Sequence, residues 1–216
     1  AYGVERVDVF TITSSIVVTI YGGQFGAITQ TRRIRGQQQY DLTKLDQLNR
    51  LSRDICTGHT DPTWIKDQLD TISRGRQYSF PARLLIYALI SASFSLFFGG
   101  SWRDALSSAV IGAVLCVVNR SVQGVRINAF LVSLLSSCIG GLLAAAAVRL
   151  GLGQSAGKIS IGNIMLLIPG IALTNSIRDM FSGDTISGTL RFCEAVLLSI
   201  TVAFGFVLTL RIGAVL

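Results

Sequence analysis

Five apolar segments follow one another between residue 80 and the C-terminus, at about 84–98, 104–118, 127–148, 159–174 and 187–210, with very short polar connections between them. Five buried helices in such close succession do not suit a small soluble core, so these segments are predicted to cross a membrane. Several hold only about 15 strictly apolar residues, which at ~1.5 Å per residue gives ~22 Å, short of a ~30 Å hydrocarbon layer. Polar flanks such as Arg83 and Arg191 are therefore expected to complete the spans as helical turns near the interface. The charge distribution agrees. Only 14% of the 216 residues are charged, against roughly 25% in soluble domains. Residues 1–79 hold 18 of the 31 Asp, Glu, Lys and Arg residues, and residues 80–216 hold the other 13. The expected fold is an α-helical membrane protein: a five-helix transmembrane bundle over 80–216, preceded by a small cytoplasmic α+β domain over 1–79.

Residues 4–34 are rich in Val, Ile and Thr, with Ser14-Ser15 and Gly22-Gly23 as turn signals, and three antiparallel strands are expected. Two amphipathic helices follow. Leu42, Leu45, Leu48, Leu51 and Ile55 lie at helical spacing over 41–56. Asp61-Pro62 supplies an N-cap and a first-turn proline for a second helix to about Ser73, with Ile65, Leu69 and Ile72 inward. His59, the only histidine, falls in the turn between them and reads as a hydrogen-bonding group. The chain opens directly in a strand-like run without a signal-peptide pattern, so residues upstream of Ala1 are expected.

The net charge of +7 does not indicate nucleic acid. Basic residues mostly flank the apolar segments, as the positive-inside rule expects. The local cluster Arg32, Arg33 and Arg35 suits a solvated strand face or lipid headgroups. With the first domain inside, Arg74, Arg76, Arg83, Arg120, Arg126, Arg178 and Arg191 lie on the inner side. Arg103, Arg149, Lys158 and Arg211 lie outside. That places the N-terminus inside and the C-terminus outside. Cys56, Cys116, Cys138 and Cys193 sit one per segment with no CxxC pair, and read as small buried residues rather than a disulfide framework or zinc site. Small residues recur every four positions, as Ala105, Ala109 and Ala113, as Ser108, Gly112 and Cys116, and as Ser133, Ser137, Gly141 and Ala145. Such ridges let helices approach closely in lipid.

The polar residues concentrate between the last two segments. Pro169 breaks a helical ladder and Gly170 beside it adds freedom. Transporters build sites where helices unwind in this way. Asn163 before the break and Asn175 after it can add hydrogen bonds. Asp184, Ser187, Arg191 and Glu194 follow 3, 4, 3 spacing, which places all four on one helical face, and Asn175, Arg178 and Asp179 share another if that stretch is helical. A lone charge at mid-bilayer costs ~2.5–3.5 kcal/mol on insertion scales, so these groups are expected to pair or face water. A structural ion-pair network and a site for a charged solute both fit.

These residues resemble the threonine/serine exporter (ThrE-like) family. The resemblance rests on Leu-Ile-Pro-Gly at 167–170, Asn175 and Asp179, Gly-Asp at 183–184, Ser-Gly at 187–188, Arg191, and Glu-Ala at 194–195. FGGSWRDAL at 98–106 and GVERVDVFTITSSIVVTI at 3–20 extend it over nearly the whole chain, although the helix that usually precedes the second motif in the family is missing. The resemblance implies a secondary exporter of small polar metabolites in the inner or cell membrane, driven by an ion gradient. Family members carry two membrane halves, fused or split as in the succinate exporters of the YjjP/YjjB type. This chain resembles the first half, which implies a second, smaller YjjB-type membrane subunit or a homo-oligomer. Candidate substrate-binding residues are Asn175, Arg178, Asp179 and Arg191. Asp184 and Glu194 are candidates for proton or ion coupling.

No G-x-x-x-x-G-K-[ST] phosphate loop is present. Neither cofactor nor metal is expected, and one histidine without a nucleophile motif argues against an enzyme. Two arginines with three acids suit a zwitterionic amino acid somewhat better than a dicarboxylate. The split layout points instead toward succinate. A non-transporting scaffold or regulatory subunit is the alternative of another class.

Overall fold

The computed structural model describes residues 4–12, 15–23, 26–34, 41–58, 61–75, 78–122 and 128–215, with side chains to Arg211. Ser14, Arg35, His59, Arg76 and Arg126 lie outside the described residues. The chain is mostly helical, with one small sheet at its start, and divides into two compact units, Ala1–Gln77 and Tyr78–Leu216.

In the first unit β1 (Arg6–Ile12), β2 (Ser15–Gly22) and β3 (Gly26–Arg33) form an antiparallel sheet in chain order. The register places Val7, Ile20 and Ile28 side by side, with Val9 and Val18 two residues along. Alternation makes this one apolar face. Asp8, Thr19 and Thr29 line the other, where the two threonine hydroxyls meet at 3.0 Å. α1 (Leu42–Cys56) and α2 (Pro62–Arg74) pair as a hairpin. Asp41 caps α1 by accepting from the Lys44 N–H at 3.0 Å. Asp61 caps α2 by accepting from the Thr63 N–H and hydroxyl. The Thr63 hydroxyl is the main influence holding the Asp61 carboxyl below its usual range. Lys44 reaches across to the Ser73 carbonyl at 2.7 Å.

The expected inward faces of these helices are only partly realised. Leu51 is buried, but Leu42, Leu45, Leu48 and Leu69 are exposed. The stripe of α1 that meets α2 runs through Lys44, Leu51 and Ile55. Two helices alone cannot cover a second stripe one step round, and no strand packs against either of them among the described residues.

The second unit holds α3 (Phe80–Phe97), α4 (Trp102–Val122), α5 (Ala129–Arg149), α6 (Ala156–Leu167), α7 (Gly170–Phe181) and α8 (Thr185–Val215). α3, α4, α5 and α8 are each long and apolar enough to cross a bilayer, and α6 with α7 can form a fifth, bent span. The apolar segment over 159–174 is divided at Pro169 into two helices, and the second runs on to Phe181. Ile168 leaves the helix in an extended conformation ahead of Pro169, and the axis turns by 52°.

Burial in this unit is inverted relative to a soluble core. Leu85, Leu89, Val110, Leu131, Leu142, Ile200 and Phe204 are exposed. The interior is small and polar instead: Ser91 and Ser95 of α3, Ser108 and Gly112 of α4, Ser136, Ser137, Gly140 and Gly141 of α5. Water would not favour such a surface, and lipid would. Part of the apolar core that does form joins Ile111 and Leu115 of α4, Ala144 and Ala147 of α5, and Ile159 of α6.

The small-residue ridges mark the close approaches. A Cβ on Gly162 would lie 2.5 Å from the Ser91 carbonyl oxygen and against the Ser108 hydroxyl. Backbone on a neighbouring helix cannot step aside as a side-chain tip can. Gly162→Val is therefore expected to push α6 off α3 and α4, at a cost of ~1–3 kcal/mol or more. A clear fall in the midpoint of thermal unfolding in detergent, against little change for the open Gly157→Ala, would show it. Equal midpoints would sink the idea. Of the cysteines, Cys116 is buried and Cys138 half-buried, but Cys56 and Cys193 are exposed, contrary to the expectation of four buried thiols.

Candidate functional site

The hairpin of α7 and α8 gathers most of the charged residues singled out in the sequence. Residues 170–181 are helical, so Asn175, Arg178 and Asp179 do share one helix. The Arg191 guanidinium on α8 donates to Asp179 Oδ2 at 3.2 Å, and both side chains are mostly covered. Arg191 Nε is buried and has no hydrogen-bond partner among the described residues. Arg178 lies 3.7 Å from the other Asp179 oxygen but projects outward. Asp179 is therefore flanked by two arginines, one packed and one free to move. A charge pair with one guanidinium edge unspent can take up a further carboxylate.

Local structure sets this pair. The Ser182 N–H donates to the Arg178 carbonyl at 2.9 Å, and the Asp184 N–H to the Asp179 carbonyl at 3.0 Å. Gly183 sits at φ 98°, where a side chain would be strained. The turn therefore folds α8 tightly back along α7. Gly188 is the close contact: its Cβ would meet the Ser176 carbonyl oxygen and the Met180 N–H nitrogen, each at 2.8 Å. Small size at Gly188 lets Arg191, one turn on, reach Asp179.

The single face expected for Asp184, Ser187, Arg191 and Glu194 does not form as one environment. Asp184 precedes the first turn of α8 and accepts the Gly188 N–H through its backbone carbonyl. Ser187 is buried, Arg191 mostly covered, and Asp184 and Glu194 exposed. Among the described residues no ion pair engages Asp184 or Glu194 within the chain. The helix starts one residue too late to carry Asp184, and its rotation is set by the close contact at Gly188. Asn175 is half-buried.

Two further polar centres lie elsewhere in this unit. Asn163, fully buried, accepts from the Ser91 hydroxyl at 2.9 Å and donates to the Ser108 hydroxyl at 3.2 Å and the Ile159 carbonyl at 2.9 Å. It ties α6 to α3 and α4 from a fully buried position. Asp104 is the residue that sequence reasoning passed over. Its buried carboxylate accepts from the N–H groups of Gln154 at 2.6 Å and Ser155 at 3.0 Å, and from the N–H and hydroxyl of Ser101, each at 2.9 Å. Its place inside FGGSWRDAL was the available signal. Among the described residues no three His, Cys, Asp or Glu side chains gather to hold a metal ion. An open groove of about 490 Å³ lies in the other unit, between α1 and α2, lined by Gln47, Arg50, Leu51, Asp54 and their neighbours. It contains none of the α7–α8 residues.

An apolar exterior around small polar seams and helices long enough to cross a bilayer define a multi-pass membrane protein. The chain belongs to the threonine/serine exporter (ThrE) family, whose model matches residues 1–213. It is 25% identical over its whole length to a threonine/serine exporter of Corynebacterium glutamicum, covering 45% of that protein. It is 24% identical over 93% of its length to a protein named "Probable threonine/serine exporter" of Mycobacterium tuberculosis, covering 38% of it. It is also 24% identical over 98% of its length to a protein named "Probable succinate transporter subunit YjjP" of Escherichia coli, covering 82% of that protein. The chain thus spans less than half the length of these two exporters. No solved structure matches it.

Proposed function

We propose that this chain is one part of an ion-gradient-driven secondary exporter of threonine, serine or a similar small polar metabolite. The single observation that carries the reading is the Asp179–Arg191 pair, joined across α7 and α8 in the unit that contains the helix break at Pro169. In this reading Arg191 takes the carboxylate of the solute, with Arg178 and Asn175 beside it, while Asp179 takes the ammonium group. Asp184 and Glu194 carry the coupling proton or ion. Pro169 and Gly170 let the two half-helices α6 and α7 change their angle. The five spans form one transmembrane bundle in the inner or cell membrane. The first unit is cytoplasmic and the C-terminus outside, on the balance of flanking Lys and Arg residues. A second small membrane subunit completes the transporter, in keeping with relatives named as subunits and with longer relatives.

A dicarboxylate such as succinate is the second reading. It is favoured by the chain's near full-length match to the YjjP proteins, of which it covers 81% and 82%. The test is flux from proteoliposomes holding the chain with its companion subunit, preloaded with labelled threonine or labelled succinate. Gradient-dependent release of threonine is the expected result. Release of succinate alone would move the substrate to the second reading. Release of neither from folded protein would move the reading to an unrecognised substrate or to a scaffold.

A further inference from the structure

The exposed surface of the α7–α8 hairpin suits neither lipid nor water. Phe181, Ile186 and Leu190 are largely exposed on it, at 89%, 66% and 48%. Arg178, Asp184 and Glu194 are exposed on the same hairpin. Glu194 is the exposed ionisable side chain of this unit that lies furthest from a helix end, ten residues into α8 and ~14 Å along it. From there Leu190, Glu194, Leu197, Thr201, Phe204 and Leu208 follow 4, 3, 4, 3, 4 spacing. All are exposed except the half-buried Thr201. That spacing is the period at which helices mesh side chains with a neighbouring helix. In lipid the lone carboxylate is costly, by up to ~2.5–3.5 kcal/mol on insertion scales at mid-bilayer depth. In water the phenylalanine and isoleucine would remain uncovered. A protein partner answers both.

A second copy is a poor occupant. Two-fold packing of this stripe on itself would bring Glu194 toward Glu194 of its mate, with Asp184 on the same hairpin and only Arg178 as an exposed cation there. We infer that the α8 stripe carrying Glu194 is the docking surface for a membrane helix of a different polypeptide, which brings a basic or hydrogen-bond-donating side chain to that carboxylate. The inference rests on the reading of this chain as one part of a two-part exporter, and gives that companion its place and its chemistry.

The test places the photoreactive residue p-benzoylphenylalanine at position 190, and at position 89 of α3 as a control, in the full chain expressed in its native membranes. An adduct is expected from position 190 and not from 89. Its added mass should differ from 23.2 kDa, the mass of this chain. Its crosslinked peptide should be apolar and carry Lys, Arg, His, Asn or Gln. Glu194→Lys should cut the adduct at least about fivefold, and Glu194→Gln less. A self-adduct of twice 23.2 kDa, or no adduct at wild-type protein level, would overturn the inference. Transport measured on the same membranes separates the two ideas. Flux with a self-adduct leaves an exporter with another docking surface, whereas loss of flux from every preparation bears on the transport reading itself.

Discussion

Arg191→Ala is expected to lower gradient-driven release of labelled threonine about tenfold to a hundredfold with no fall in protein level. A hydrogen bond to a charged group contributes ~1.5–3 kcal/mol, and each ~1.4 kcal/mol is tenfold. Arg191 donates to Asp179 at 3.2 Å and keeps a buried Nε with no partner among the described residues, so its charge is placed but not fully used. The helix hairpin does not depend on it for closure, because Gly188 packs on Ser176 and the 182–184 turn is tied by backbone hydrogen bonds. Protein level should therefore survive the change. Arg191→Lys should retain part of the flux, since an ammonium keeps the charge but loses the guanidinium fork. Asp179→Asn should fail in a different way: the pair loses its anion while Arg191 stays, so an amino acid should be affected more than a dicarboxylate. Normal export by Arg191→Ala at wild-type level would remove this pair as the site.

The parts of the fold legible in the sequence were those that depend on local pattern. The leucine spacing over 41–56 announces α1, Asp61-Pro62 announces the start of α2, and the run of Val, Ile and Thr announces the strands. Apolar length announces α3, α4, α5 and α8. What was not legible depends on rotation and partners. Spacing alone put Asp184 with Glu194 on one face, but the start of α8 at Thr185 and the contact at Gly188 decide which side of the helix is covered. Leu42, Leu45 and Leu48 form an apolar stripe by period, yet nothing in a period says whether a neighbour exists to cover it. Pro169 indicated a break, but not that residues 170–181 would resume as a helix carrying Asp179 to Arg191. Asp104 escaped notice because an aspartate in the first turn of a helix is ordinarily a solvated group beside the helix dipole.

Asp104→Leu is expected to be the most destabilising single change in the membrane unit. Its carboxylate serves two connections at once: Ser101, between α3 and α4, and Gln154 with Ser155, between α5 and α6. Four donors on partly covered connections converge on the two oxygens of an almost wholly buried side chain, and leucine offers them no acceptor. A buried donor left unsatisfied costs ~1–3 kcal/mol. Two of them would then remove ~2–6 kcal/mol, a large part of the ~5–15 kcal/mol by which folded proteins are stable. Asp104→Asn tests the geometry rather than the size. One oxygen can still accept from Gln154 and Ser155, but the amide nitrogen would face the Ser101 N–H, donor against donor. The expected order of unfolding midpoint in detergent is wild type, then Asn, then Leu, with the Leu variant poorly recovered from membranes. A Leu variant that unfolds like wild type would show that these two connections hold without the carboxylate. If that variant also lost export, Asp104 would have to act on the solute or on the moving state rather than on the fold.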